Sequence, residues 1–321
     1  MPEYQESFVP ESKLRKAIGA YGLVADSIER IQEGEGCNAL VYKIRCGEKN
    51  YMVRVRSEMA TVQDVMFARK WGQAVSAEVV VPVPLKPLDY VPRVADRCVE
   101  IVPYIEHDQD GHGYASNRPQ AWITVGQWVG CMHRLGMPLL GDAPVALPYG
   151  NYPHDALIDW HRERAHSFAP TQILSLLPQA EKLLTQCRNF LKPRRKYFTS
   201  GVVHGDMHFW NVLYDSDGKP VAIIDLDFLQ HGYLIADIAY ASIWLDAWEH
   251  RLGGEWLGVM DRYIKAYEFG RQSSLNAAEG ECLPWFRVLT HIFFFFQNSL
   301  SNIEDGLEDL SSAEKIVGSL T

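Results

Sequence analysis

Long hydrophobic runs are missing from this 321-residue chain. The most conspicuous apolar stretch, residues 292–296, is far short of the roughly 20 residues that a membrane span requires. Residues 1–13 are polar and acidic and carry no apolar stretch of the secretory-signal kind. The expectation is a soluble, cytoplasmic protein without a membrane partner. Cysteine is scarce. The six, at positions 37, 46, 98, 131, 187 and 282, include no Cys-x-x-Cys pair, which argues against a zinc ribbon or a disulfide framework. No internal repeat or low-complexity segment occurs. Positive charge is in deficit, with a formal net charge of −9. Residues 1–105 hold 14 basic and 14 acidic residues, so the whole deficit falls in residues 106–321. That balance speaks against a nucleic-acid partner and suits a neutral or cationic small ligand.

The periodicities divide the chain in two. Residues 11–24 predict a short helix, and 27–32, 40–46 and 50–56 predict strands. A helix is expected at 61–74 and a further strand at 97–104, while the prolines of 79–87 enforce extended backbone. Residues 106–120 are rich in turn formers and read as a linker. From residue 122 the pattern is mostly helical, with helices expected at 122–135 and 178–190 and a buried one around 291–300. A β-stretch at 201–203 and a hairpin at 212–225, turning at 215–218, interrupt it. The fold class is α+β.

The informative stretch is residues 202–228. Asp206 and Asn211 follow a β-stretch, and Asp225 ends the next hydrophobic strand. Phosphoryl transfer from ATP needs such a set. One carboxylate orients the attacking hydroxyl and accepts its proton, and hard oxygen ligands hold magnesium on the phosphates. The His204-x₃-His208 spacing could suggest zinc, but Gly205 disfavours a helix there and no helical glutamate completes a protease motif. Asp215-Ser216-Asp217-Gly218 resembles the start of a calcium loop without its later ligands, and a hairpin turn is expected instead.

His204-Gly205-Asp206 with Asn211, then Ile224-Asp225-Leu226-Asp227, resembles the aminoglycoside phosphotransferase and choline kinase superfamily, relatives of protein kinases. Gly232 and Asp237-Ile238-Ala239 fit the same pattern, and His208 matches a histidine common there. The resemblance implies a bilobal, protein-kinase-like fold. Its small, mainly antiparallel β lobe would cover 1–105 and its larger, mainly helical lobe 106–321, with the active site between them. It implies Asp206 as catalytic base, Asn211 and Asp225 as magnesium ligands, Asp237 as a brace for the loop, and His204, His208 and Asp227 as supporting residues. ATP and Mg²⁺ are the implied cofactors, and a small-molecule hydroxyl compound is the implied acceptor. A catalytically weak, regulatory nucleotide-binding protein is the alternative. Oligomeric state is not legible.

The N-terminal part fits the same family. Gly34, Gly36 and Asn38 lie where a phosphate-covering loop belongs, although a plain hairpin has the same composition. Met52 and Arg54 occupy the third strand, with Arg54 where kinases carry lysine. Alternation puts Met52, Arg54 and Arg56 on one face, either beside the nucleotide or in solvent. Asp64, or else Glu58, is the expected acidic partner of Arg54. The carbonyl of Val102 and the N–H of Tyr104 are the expected adenine contacts. Trp244 and Trp248 suit a core or a ligand platform. The acidic residues of 246–268 and 304–309 suggest an acceptor bearing an amino group.

Overall fold

Alternating apolar residues build a sheet near the start of the chain. In the computed structural model, which describes residues 9–31, 39–56, 60–108, 118–144, 155–300 and 302–320, two units form. One is Met1–Asp108 with Val221–Asp227, and the other is Gln109–Pro220 with Phe228–Thr321. The glycine loop with Gly34, Gly36 and Asn38, and Glu58, lie outside the described residues.

The first unit carries β1 (Ser27–Arg30), β2 (Leu40–Cys46), β3 (Lys49–Val55), β4 (Arg93–Val94) and β5 (Arg97–Pro103) in one antiparallel sheet. The strand order is β1-β2-β3-β5-β4. Gly47, at φ +61°, lets β2 turn into β3 within two residues. Ala95 and Asp96, at φ +49° and +61°, turn the short β4 into β5, a pairing that the sequence pattern did not reveal. Val53, Val55, Val99 and Ile101 point to one face. There they pack with Ile44 and with Leu14 and Ile18 of α1 (Glu11–Gly19). The opposite face is therefore left to Met52, Arg54, Arg56 and Glu100. α2 (Val62–Val75) follows β3.

The second unit contains α3 (Pro119–Gly136), α4 (Asp155–Phe168), α5 (Thr171–Leu174) and α6 (Leu177–Leu191). The strand β6 (Ser200–Val203) comes next, then β7 (Val212–Tyr214). The chain continues through β8 (Pro220–Ile223), whose residues from Val221 belong to the first unit, and β9 (Gln230–Tyr233). It closes with α7 (Ile235–Leu252), α8 (Val259–Arg271), α9 (Ala277–Asn298) and α10 (Ile303–Leu320). β6 pairs antiparallel with β9, a partner the sequence pattern did not supply. Helices α3 and α8 meet backbone to backbone. A Cβ at Gly130 or Gly270 would collide with the carbonyls of Tyr267 and Gln127. The turn at 215–219 is an ordinary one, since Asp215 Oδ1 accepts the N–H groups of Asp217 and Lys219 at 3.0 and 2.9 Å. No helix among the described residues is long and apolar enough to cross a membrane.

Candidate active site

The loop after β6 is built around two carboxylates. Gly205 turns the chain at φ +82°, where a Cβ would lie 2.6 Å from the Phe228 carbonyl oxygen, so only glycine fits. The fully buried Asp237, in the first turn of α7, accepts the N–H groups of His204 at 2.7 Å and Gly205 at 2.9 Å. Its Oδ2 also lies 2.9 Å from His133 Nε2, on α3. His133 Nδ1 in turn faces the Tyr267 hydroxyl at 3.0 Å, on α8. The close α3–α8 crossing thus sets the histidine that sets the aspartate that holds the loop. Burial alone would raise the Asp237 pKa. The His133 hydrogen bond, the nearby imidazoles and the backbone donors hold it below its ordinary value instead. His133 and Tyr267 were not singled out from sequence, because their positions on two distant helices give no local signal.

Asp206 stands two residues beyond His204. Its Oδ1 accepts the Tyr240 hydroxyl at 2.8 Å. Asn211 Nδ2 donates to Oδ2 at 3.1 Å and to the Asp206 carbonyl at 2.8 Å, and His208 Nε2 lies 3.3 Å from Oδ2. Burial would raise this carboxyl too. Hydrogen bonds from His208 and Tyr240, with the charge of the imidazoles, overcome burial and hold it well below the usual carboxylate range. Asn211 presents its donor half to Asp206, so its amide oxygen is the half suited to a cation. A cluster of aromatic rings extends from this carboxylate through His208 and Tyr240. His208 packs against Trp210 and Tyr240 at ring distances of 5.2 and 6.2 Å, and Phe294 lies 5.5 Å from Tyr240. Trp244 joins Trp210 to Phe294, whereas Trp248 packs with Trp122, Phe209 and Trp256. Tyr240 is the contributor that the sequence pattern did not announce. It lies one helical turn from Asp237 but carries no motif of its own.

The other candidate residues gather in the first unit. Arg54 Nη1 donates to Glu100 Oε1 at 3.1 Å, and Nη2 meets Asp225 Oδ1 at 2.8 Å and Asp227 Oδ1 at 2.9 Å. Arg56 Nη1 donates to Glu100 Oε2 at 2.8 Å. Its Nε lies 3.0 Å from Asp227 Oδ1 as an ion contact without hydrogen-bond alignment. Asp225 is about one-third exposed and sits at φ +61° two residues past β8, a left-handed conformation that aspartate tolerates better than most residues. Burial pushes the Asp227 carboxyl up, against the pull of Arg54 and Arg56.

The structure differs from two expectations. Asp64 is not the partner of Arg54. It closes the capping box of α2, accepting the Thr61 N–H at 2.7 Å, and Glu100 takes the place expected of it. The Tyr104 N–H is not available to a nucleotide, because it donates to the Asn50 carbonyl at 3.1 Å. Val102 stands opposite Met52 with the same strand parity, so its carbonyl also faces β3. Ile101, one residue off, turns its carbonyl away and accepts the Leu85 N–H at 2.8 Å. Lys43 sets its ammonium over the Tyr104 ring, 4.0 Å from the centroid.

The acidic residues of 246–268 and 304–309 are largely engaged locally. Asp246 pairs with Arg287, Glu308 with Arg251, and Asp309 with His291. Glu249 and Glu268 accept the N–H groups of Gly258 and Leu275.

Similar folds occur among solved structures. A microcompartment-associated aminopropanol kinase superposes with a TM-score of 0.68 at 19% identity, over 96% of this chain and 95% of that one. Amicoumacin kinase, solved with AMP-PNP, Ca²⁺ and its ligand, gives 0.65 at 15%, over 98% and 94%. Spectinomycin phosphotransferase, solved with ADP and spectinomycin, gives 0.61 at 15%, over 97% and 95%. At these identities the likeness establishes the fold. No curated protein matches the sequence. The profile of the phosphotransferase enzyme family matches residues 29–274, most of the chain and all of the loop just described, and the chain belongs to that family.

Proposed function

We propose that this enzyme transfers the γ-phosphoryl group of ATP to a hydroxyl of a small molecule, with magnesium. The acceptor oxygen attacks the γ-phosphorus, the bond to the bridging oxygen breaks, and ADP leaves. Asp206 orients the hydroxyl and takes its proton. The observation that carries this reading is the setting of Asp206. Donors from Tyr240 and Asn211 fix it, and a depressed pKa keeps it ionised. Such a carboxylate is a weak base, which suits a transition state in which the proton moves late.

Asn211 and Asp225 would hold magnesium. Their hard oxygens fit it, and the ion would neutralise phosphate charge. Arg54 would meet the phosphates, with Met52 beside the base. By strand parity, Pro103 C=O and Ile105 N–H are the polar groups that could read adenine, replacing those of Val102 and Tyr104. The aromatic cluster beside Asp206, in which Trp210 is exposed, supports an amino-bearing acceptor better than the engaged carboxylates do, because ring faces attract cations. The aminopropanol kinase of similar fold is in keeping with this.

The test is an ADP-release screen with ATP, Mg²⁺ and a panel of amino alcohols, amino acids, sugars and aminoglycosides. Acceptor-dependent release is expected for at least one amino-bearing hydroxyl compound. Tight ATP binding without release for any compound would point to the regulatory alternative.

A further inference from the structure

We propose that Glu100 positions Arg54, so that this protein sets its phosphate-side cation from the sheet and not from a helix. The inference rests on the reading of Arg54 as a nucleotide-binding residue. Arg54 and Glu100 stand directly opposite each other in the β3–β5 pair, on the face away from the apolar core. Directly opposed residues of an antiparallel pair lie nearer each other than diagonal neighbours do, within reach of two long side chains. Each Glu100 oxygen takes a different guanidinium, Arg54 at 3.1 Å and Arg56 at 2.8 Å, and Glu100 is 2% exposed. A carboxylate engaged at both oxygens cannot rotate without breaking a charge-assisted bond.

The backbone beneath is pinned as well. The Arg56 N–H donates to the Cys98 carbonyl at 2.8 Å. The Arg97 guanidinium donates to the carbonyls of Arg56 and Val55 at 2.6 and 3.0 Å. With Nη1 anchored on Glu100, Nη2 is directed toward Asp225. A guanidinium suits this task because its planar fork serves two carboxylates at once. α2 offers no rival, since its one acidic residue, Asp64, is held in its own cap.

The test is calorimetric titration of Glu100→Gln with AMP-PNP and Mg²⁺, and separately with adenosine. AMP-PNP should bind about tenfold more weakly or worse, the loss expected when a charged group's hydrogen bond is broken. Adenosine, which has no phosphate for Arg54, should bind within about twofold of wild type, less than one such bond. In an Arg54→Met background, Glu100→Gln should change AMP-PNP affinity by less than about twofold, because coupled residues do not add. If Glu100→Gln does not fold, Glu100→Asp replaces it, with a smaller loss in the same pattern. A purely structural role would overturn the proposal. It would lower the melting temperature with AMP-PNP affinity unmoved, weaken both ligands alike, or act equally in both backgrounds. Arg54→Met separates the two readings. If it leaves AMP-PNP affinity intact, the nucleotide role of Arg54 falls. If it weakens AMP-PNP while Glu100→Gln does not, only the present inference falls.

Discussion

The two regions that hold candidate chemistry are kept in shape by different means. Around Asp206 the carboxylates are bonded by backbone N–H groups, a phenol, an amide and imidazoles. On the sheet face, Arg54 and Arg56 are held by the carboxylates of Glu100, Asp225 and Asp227. Hydrogen-bonded carboxylates keep a fixed charge at little cost when the donors are already in place. An ion cluster fixes geometry too, but losing one member leaves the others buried without balance. The loop should therefore fail in turnover when a member is lost, and the sheet face should fail in nucleotide binding.

The largest effect expected is on turnover. Asp206→Asn should lower kcat by roughly 10²–10⁴-fold, the range of a lost general base, with AMP-PNP affinity nearly intact. Steady-state kinetics with the screened acceptor and titration with AMP-PNP check both halves. On the sheet face, Arg54→Met should weaken AMP-PNP by roughly tenfold to a hundredfold, and Arg54→Lys by less, because charge matters more than the fork for a phosphate contact. Equal affinity in Arg54→Met and wild type would move that face out of the nucleotide site.

Acid should act through the loop. The folded pKa of Asp237 is depressed, so its contribution to stability is present above the ordinary carboxylate value of about 3.9. It is lost as pH falls through the lower folded value. Asp237→Asn should be less stable than wild type at pH 7, and the gap should narrow between about pH 5 and pH 2. Urea melts across that range measure it, and a gap independent of pH would contradict the assignment. The smallest effect concerns α2. Asp64→Ala should cost about 1 kcal/mol of stability through the broken cap and leave AMP-PNP affinity unchanged.

What the sequence made legible was local. The loop from His204 to Asn211, and the carboxylates at 225, 227 and 237, are spaced by backbone rules, and their residue types announce oxygen chemistry. The alternation of β3 likewise assigns Val53 and Val55 to one face and Met52 and Arg54 to the other, and the core packs on the valine side. Partners made by tertiary packing were not legible. Tyr240 reaches Asp206 from α7, His133 reaches Asp237 from α3, and Glu100 reaches Arg54 across a strand register. The Val102 and Tyr104 expectation failed because the Tyr104 N–H and the Val102 carbonyl turn toward β3, a direction set by strand parity and not by residue type. Asp64 looked available because an acid near a helix start can serve either a cation or a cap, and Thr61 decided for the cap.

On the proposed function, the Asp206 loop directs a phosphoryl group to a hydroxyl. The most direct measurement is ³¹P NMR of the reaction with ATP, Mg²⁺ and the best acceptor of the screen, run for wild type and Asp206→Asn. An acceptor phosphomonoester should form with ADP in wild type, and neither should accumulate in the variant. ADP with inorganic phosphate alone in wild type, or the same ester at a similar rate in Asp206→Asn, would contradict it.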